Sequence, residues 1–435
     1  MKRFLLLTTV VLAAACGKKE ATPVSGPNAE LREAKPGEAV AAPAAVTTTA
    51  EPAAPAAPQT VTLWHSYRDD ERKALDVLVA QWNKLQPAVQ IQALAVPFDA
   101  IIDKFQVATP NGNGPDLIIM AHDKIGLWAR DGLLQPLGEF ASKDRLARFL
   151  PITVKPLVFD KAIWGLPLAF KSVALFYNRK LVPTPPKTLG QLIEVGKGFT
   201  SEKTESFGLA YDAADLYFHA PFLYGEGGQV WDDEAKKVTI DTPEAIKAAE
   251  LVRDFYIKSK ILPKGVGGFV VTAMFNDGKT PFTIQGPWFI SEISKDIDWG
   301  VAVLPEIEPG KPLRPFLGSE AVLLTKQSKV RGAALQVMDY LTSDEAAITR
   351  LQAGGQMVAN VKVYENPRFL EKPVVRVFHA QAETSVPMPT AVEPSVAWAP
   401  YSAALRKIIF SGADPKAALA EAQTAADQAI ARLGK

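Results

Sequence analysis

The chain has 435 residues, 48% apolar and 22% charged. That is ordinary globular usage and excludes a wholly disordered polymer. Its 48 Lys and Arg against 47 Asp and Glu leave a formal charge of +1, which argues against a protein built mainly to bind nucleic acid.

Cysteine usage narrows the chemistry further. The only cysteine is Cys16. It excludes an internal disulfide and any multi-cysteine zinc or iron–sulfur site. The four histidines (His65, His122, His219 and His379) form no HExxH or HxH metal motif.

In chain order, residues 1–16 read as a secretory signal. Lys2 and Arg3 precede an apolar stretch from Phe4 to Ala15, too short to span a bilayer. Ala13-Ala14-Ala15-Cys16 resembles a bacterial lipobox, which implies cleavage before Cys16 and lipid attachment to it. The alternative is an ordinary signal with an incidental cysteine. Residues 17–60 contain 13 Ala, 7 Pro and no aromatic residue. Such a segment buries too little to offset its ordering entropy. It reads as a tether without fixed structure, reaching on the order of 100 Å if extended.

The folded body is expected over 61–435. Val61–His65 predicts a buried strand. Asp69, Asp70 and Glu71 suit a helix start, and Leu75, Leu78, Val79, Trp82 and Leu85 follow at helical spacing. Gln86-Pro87 ends that helix. A strand over Gln90–Val96, a helix over Phe98–Ala108 and a strand over Asp116–Met120 complete a β-α-β-α-β order. That order predicts a parallel sheet flanked by helices. Ligands then belong beyond the carboxyl ends of its strands, in the loops after Trp64 and Met120.

Further strands are expected at Ala174–Tyr177, Phe207–Tyr211, Pro281–Ile284, Val301–Leu304 and Glu320–Leu324. Helices are expected at Leu189–Lys197, Leu216–Tyr224, Pro243–Ser259, Val270–Asn276, Lys329–Leu341, Tyr401–Ile409 and Pro415–Leu433. Two α/β lobes fit this length.

Catalytic signatures are sparse. There is no GxSxG elbow and no GxGxxG after the first strand. Gly278-Lys279-Thr280 resembles the end of a P-loop, but Ala273 stands where such a loop needs glycine. No catalytic residue, cofactor or metal is implied. Binding chemistry is richer, with eight Trp and nine Tyr. Tyr217, Trp288 and Trp398 fall at turns or helix starts, where flat rings suit the C–H faces of a sugar.

Four stretches carry a family resemblance over nearly all of 61–435. They are GPDLIIMAHD (Gly114–Asp123), LPLAFKS leading into LFYNRKL (Leu166–Leu181), AMFNDGKT running on to TIQGPW (Ala273–Trp288), and WGVAVLP (Trp299–Pro305). On these the body resembles the maltose/maltodextrin-binding proteins among the extracellular solute-binding proteins of ABC importers. The resemblance implies a two-lobed α/β fold, each lobe a mainly parallel sheet flanked by helices, with a hinged cleft. Lobe I would comprise 61–170 and 321–367, and lobe II 174–317 and 370–435.

It also implies the site. Asp123 would bind sugar hydroxyls, or alternatively cap the helix after it. Tyr217, Trp288 and Trp398 would stack on glucose rings, although Trp398 could instead belong to the core. Asp215 stands for a hydroxyl-accepting glutamate. Lys171 replaces another such glutamate and can donate but not accept. Met120 replaces an aromatic platform, and the first loop, with Arg68, differs from the family's Asp-Lys pair.

The implied partners are an oligosaccharide, the permease subunits of an ABC importer and the membrane, through the Cys16 lipid. No nucleic acid is involved, and a monomer is expected. The expected location is extracytoplasmic: the periplasm, or the outer face of a Gram-positive cell. The competing readings are the same fold binding another sugar or a phosphorylated polyol through Lys171 and Arg68, a secreted carbohydrate-active enzyme, and a signalling adaptor.

Overall fold

The computed structural model describes residues 58–433. The signal, Cys16 and most of the tether lie outside the described residues. At the tether's end, the first strand begins at Gln59 rather than Val61, because Gln59 and Thr60 already pair with Val89 and Gln90.

The opening β-α-β-α-β is present. Strand Gln59–His65 lies between parallel neighbours, Val89–Ala95 and Leu117–Ala121. Helices Asp69–Leu85 and Phe98–Ala108 make the crossovers. The first sheet continues through Phe316–Leu324, which pairs antiparallel with Leu117–Ala121 and with Gly165–Lys171, and parallel with Val386–Pro387. The second sheet has the order 299–302, 174–178, 282–285, 209–210.

The second sheet corrects the expectation that each lobe is mainly parallel, while the first keeps strands 59–65, 89–95 and 117–121 parallel. In the second sheet Ala174–Asn178 runs antiparallel to both of its neighbours, and only 282–285 and 209–210 pair in parallel. The physical reason is connectivity. Ala174–Asn178 enters the second sheet directly from Gly165–Lys171 of the first, while Phe316–Leu324 returns to the first. A strand that arrives from the other sheet enters at the carboxyl ends of the resident strands and must run against them. Both sheets therefore aim the carboxyl ends of their parallel strands at the crossing segments, where ligands bind in open α/β sheets.

Period-two alternation builds a core on each face of the first sheet. Val61, Leu63, Leu117, Ile119, Val322 and Leu324 pack on one face with Leu75, Leu78 and Trp82 of the first helix. Trp64, Ile118, Met120, Ala321 and Leu323 pack on the other with Ile101, Phe105 and Trp128. Around the second sheet, Leu175, Tyr177, Phe282 and Ile284 join one cluster, and Ala174, Phe176 and Val301 another.

The crossing segments are tied together. Ser172 Oγ donates to the Phe316 carbonyl at 2.8 Å and lies 3.2 Å from Ser385 Oγ. Buried His122 accepts from the Ser319 N–H at Nδ1 (2.9 Å), so its Nε2–H donates to the Met388 carbonyl at 2.9 Å. Burial lowers the pKa of this imidazole and keeps it neutral for that pair of bonds.

Among the described residues, no helix is long and apolar enough to cross a membrane. Other departures from expectation are local. Trp398 lies inside helix Glu393–Ser411 rather than before a helix, because Pro394 opens that helix and Pro400 is accommodated within it. Helices Asp344–Gly354 and Pro373–Thr384 and strand Gly165–Lys171 extend the predicted set.

Candidate functional site

One wall of the site grows from the second sheet. Strand Leu209–Ala210 ends in a turn whose Asp215 caps helix Leu216–Gly225, with Oδ1 accepting from the Tyr217 N–H at 2.8 Å. Such a cap satisfies one of the free N–H groups at the helix start and fixes Tyr217 beside it. Strand Phe282–Gln285 ends in Gly286, and Trp288 follows on a short 3-10 turn. The Trp288 ring folds back against Gly286, where any Cβ would collide with it.

Tyr217 and Trp288 stand 6.2 Å apart between ring centroids. Phe316 lies 6.3 Å from Tyr217 and stacks on Trp398 at 5.9 Å, with 21° between the planes. Tyr217, Trp288 and Trp398 are each half-buried, with Phe316 buried beneath. Four elements thus present one aromatic surface. Burial raises the Asp215 pKa, against the stabilising Tyr217 N–H and Trp398 side chain. Burial also raises the Tyr217 pKa, helped by the charges of Asp215 and of Asp123 from the first lobe. The Asp123 charge thus reaches Tyr217.

A second cluster is ionic. Lys171, the last residue of its strand, places Nζ 3.2 Å from Glu320 and 3.6 Å from Glu71. Tyr67 Oη donates to Glu320 Oε2 at 2.8 Å, and Gln356 Nε2 donates to Glu71 Oε1 at 3.3 Å. A bulge between Glu320 and Ala321, opposite Pro167, shifts the register of the crossing strand at this point. Proline has no N–H for the ladder, so the irregularity costs little there. Burial opposes the Lys171 charge, but Glu320 and Glu71 outweigh it and raise its pKa. Glu71 is raised by burial, then lowered in part by Lys171.

The sequence-derived residues are distributed as follows. Tyr217, Trp288, Trp398 and Asp215 come together on one wall. Asp123 lies on the short turn His122–Lys124 and Lys171 at the end of strand Gly165–Lys171, away from this cluster in the chain. Asp123 pairs with Lys124 at 2.6 Å, and no side-chain cap is present at the helices it adjoins. Arg68 is exposed at the start of helix Asp69–Leu85.

Met120 requires a correction. It is 3% exposed. Alternation turns it to the face covered by Ile101, Phe105 and Trp128, so it fills the core rather than offering a platform.

Glu320, Glu71, Tyr67 and Phe316 were not foreseen. Glu71 was legible only as a helix-start charge. Glu320 had a usable signal, a lone carboxylate inside an apolar strand, where burial demands a partner. Among the described residues no group of His, Cys, Asp or Glu is arranged to hold a metal ion.

Comparison with known proteins agrees with this architecture. The family model of bacterial extracellular solute-binding proteins matches residues 67–348. A maltotriose-binding protein of Pyrococcus abyssi is 29% identical over 83% of this chain and 79% of its own. A galactooligosaccharide-binding protein of Bacillus subtilis is 27% identical over 79% and 84%. A maltooligosaccharide ABC transporter solute-binding lipoprotein of Streptococcus pneumoniae is 24% identical over 76% and 79%. Among solved structures, the Thermus thermophilus maltotriose binding protein bound with maltotriose superposes with a TM-score of 0.76 at 28% identity, covering 85% of this chain and all of that one. Each of these relatives is named as a binding protein rather than an enzyme. With the family model spanning well over half of its length, this chain belongs to the bacterial extracellular solute-binding protein family.

Proposed function

We propose that the protein captures maltose- or maltodextrin-like oligosaccharides between its two walls and delivers them to an ABC importer. The observation that carries this reading is the surface of Tyr217, Trp288 and Trp398 on Phe316, with Asp215 and Asp123 beside it. Rings take the apolar sugar faces, and carboxylates accept from hydroxyls. The lobes divide as 61–170 with 321–367 and 174–317 with 370–435, and sugar favours the closed pair because it contacts both. Micromolar affinity needs about −8.2 kcal/mol, within reach of three stacked rings and several hydrogen bonds of about 1 kcal/mol each.

The first lobe sets the difference from relatives. Lys171 offers a donor where the family offers an acceptor. Its ammonium is already shared by Glu71 and Glu320. A phosphorylated ligand would have to displace one of these carboxylates, so a neutral sugar fits better. Cys16 would anchor the mature chain by lipid on the extracytoplasmic side. Incorporation of labelled palmitate, lost on Cys16→Ser, tests the anchor.

Titration calorimetry with maltose, maltotriose, trehalose, cyclodextrins and a galactooligosaccharide tests the ligand. Binding is expected for an α-glucan, which should be recovered intact afterwards. No heat with any glucan removes the assignment, and heat with the galactooligosaccharide alone replaces it.

A further inference from the structure

We infer that His122 is a positioning residue for Asp123, holding the turn that carries this carboxylate against two of the segments that cross between the sheets; this rests on the reading of Asp123 as a sugar-binding group. His122 is fully buried, while the Asp123 side chain beside it keeps 27% exposure. Strand Phe316–Leu324 runs along the turn, with Glu320 in register with Ala121. From the residue before, the Ser319 N–H donates to His122 Nδ1 at 2.9 Å, and His122 Nε2–H donates to the Met388 carbonyl at 2.9 Å. Both anchors are themselves fixed. Ser319 Oγ donates to the Thr153 carbonyl at 2.7 Å, and the Met388 N–H donates to the Leu317 carbonyl at 3.2 Å.

The turn His122–Lys124 is weakly held by its own sequence. No side chain caps it or the helix that follows, and Asp123 pairs with its neighbour Lys124, which moves with it. The imidazole joins the turn to two separate segments at once, in one tautomer. Because Nδ1 faces an N–H, the ring proton sits on Nε2, opposite a carbonyl. Just past the turn, Gly126 lies against the Thr390 carbonyl, where any Cβ would collide, and Thr390 Oγ1 donates to the Pro156 carbonyl at 2.9 Å. Residues 388–390 therefore run along the turn and the start of the next helix. The crossing strand also sets Asp123 against Lys171: Ala121 and Ala169 both pair with Glu320, and Glu320 holds Lys171. A binding carboxylate needs such support, since packing and hydrogen bonds behind it keep its lone pairs where a hydroxyl can meet them.

Calorimetry of the full chain with maltotriose, for wild type, Asp123→Ala, His122→Leu and the double variant, tests this as a cycle. Asp123→Ala should weaken binding about tenfold, the loss of a hydrogen bond to a charged group. His122→Leu should weaken it about fivefold, whereas the double variant should bind no worse than Asp123→Ala, because a displaced turn matters through the carboxylate it carries. His122→Gln, with an acceptor and a donor on one side chain, should keep affinity within about twofold of wild type. A structural role alone would instead add the two losses. If the leucine variant does not fold, His122→Asn, too short to hold both partners, closes the same cycle. Additive losses, a folded His122→Leu that binds as wild type, or Asp123→Ala binding as wild type each overturn the positioning role while leaving the aromatic reading of the cleft intact. Failure of every glucan to bind wild type overturns the cleft reading and the positioning role with it.

Discussion

The two side-chain clusters proposed to wall the cleft are built on opposite principles. The second-lobe wall is a set of rings held by backbone devices: a helix cap at Asp215, a glycine that Trp288 folds onto, and a strand start at Phe316. The first-lobe wall is a charge network in which Lys171, Glu71, Glu320, Tyr67 and Gln356 hold one another. Rings keep most of their contact area whatever hydroxyl pattern they meet, whereas the network offers donors and acceptors at set positions. The rings should therefore govern affinity, and the network selectivity and local stability.

The largest effect expected from breaking this contrast is on the rings. Trp398→Ala should weaken sugar binding about 30-fold, and Trp288→Ala similarly, since a tryptophan anchor covered by ligand is worth about 2 kcal/mol. Calorimetry at neutral pH checks both. A loss below threefold would mean that these rings serve the core alone. Next comes Glu320→Ala, which leaves Tyr67 Oη without its acceptor and Lys171 with one carboxylate. Lys171 keeps Glu71, so the main cost is the buried Tyr67 hydroxyl left unpaired, about 1–3 kcal/mol, which should lower the urea midpoint even without sugar. The same change should redistribute preference among glucans rather than abolish binding.

A third effect is a pH dependence confined to the first lobe. Burial lowers the His65 pKa to about 4, and its Nδ1 accepts from the Tyr67 N–H at 3.2 Å. The unfolded chain protonates this group near 6.5, so the native state binds fewer protons between 6.5 and 4. Its contribution to stability is complete above pH 6.5 and is lost as pH falls toward 4, by about 2 kcal/mol at pH 5. Glu71, raised by burial, acts in the opposite sense. The test is therefore the difference between wild type and His65→Asn in urea unfolding at pH 7 and pH 5. Equal slopes for the two proteins would exclude His65 as the source.

Sequence and structure agree best where pattern is local. The first three strands and two helices were legible within about two residues, because apolar spacing switches cleanly between periods of two and 3.6. Gly165–Lys171 was not, since it is buried on both faces, lacks alternation and contains Pro167. Helix Asp344–Gly354 did carry readable signals: Ser343 caps it, and Gly355 ends it at φ +66°. In the site, position at turns singled out Tyr217, Trp288 and Trp398, and family resemblance added Asp123, Asp215 and Lys171. Neither could show that Lys171 is claimed by Glu320 and Glu71, because those contacts depend on strand register. The same blindness to register made Met120 look available when it faces the core.

The smallest expected effect separates two roles held by one residue. Asp215 caps a helix through Oδ1 and stands where a carboxylate would accept from a sugar hydroxyl. Asn caps a helix about as well as Asp, so Asp215→Asn should leave the melting temperature nearly unchanged. It removes the charge, however, and charge-assisted hydrogen bonds are about twice as strong as neutral ones. Sugar affinity should fall about fivefold, the consequence of losing roughly 1 kcal/mol. Burial raises the Asp215 pKa above the ordinary 3.8, so acidification should protonate it sooner than an exposed aspartate. A neutral carboxyl accepts more weakly than a carboxylate, so wild-type affinity should fall as pH drops toward that pKa, and Asp215→Asn should lack this component. If the variant instead melts lower and binds as well as wild type at pH 7, Asp215 is a cap and nothing more, and the second-lobe wall acts through its rings alone.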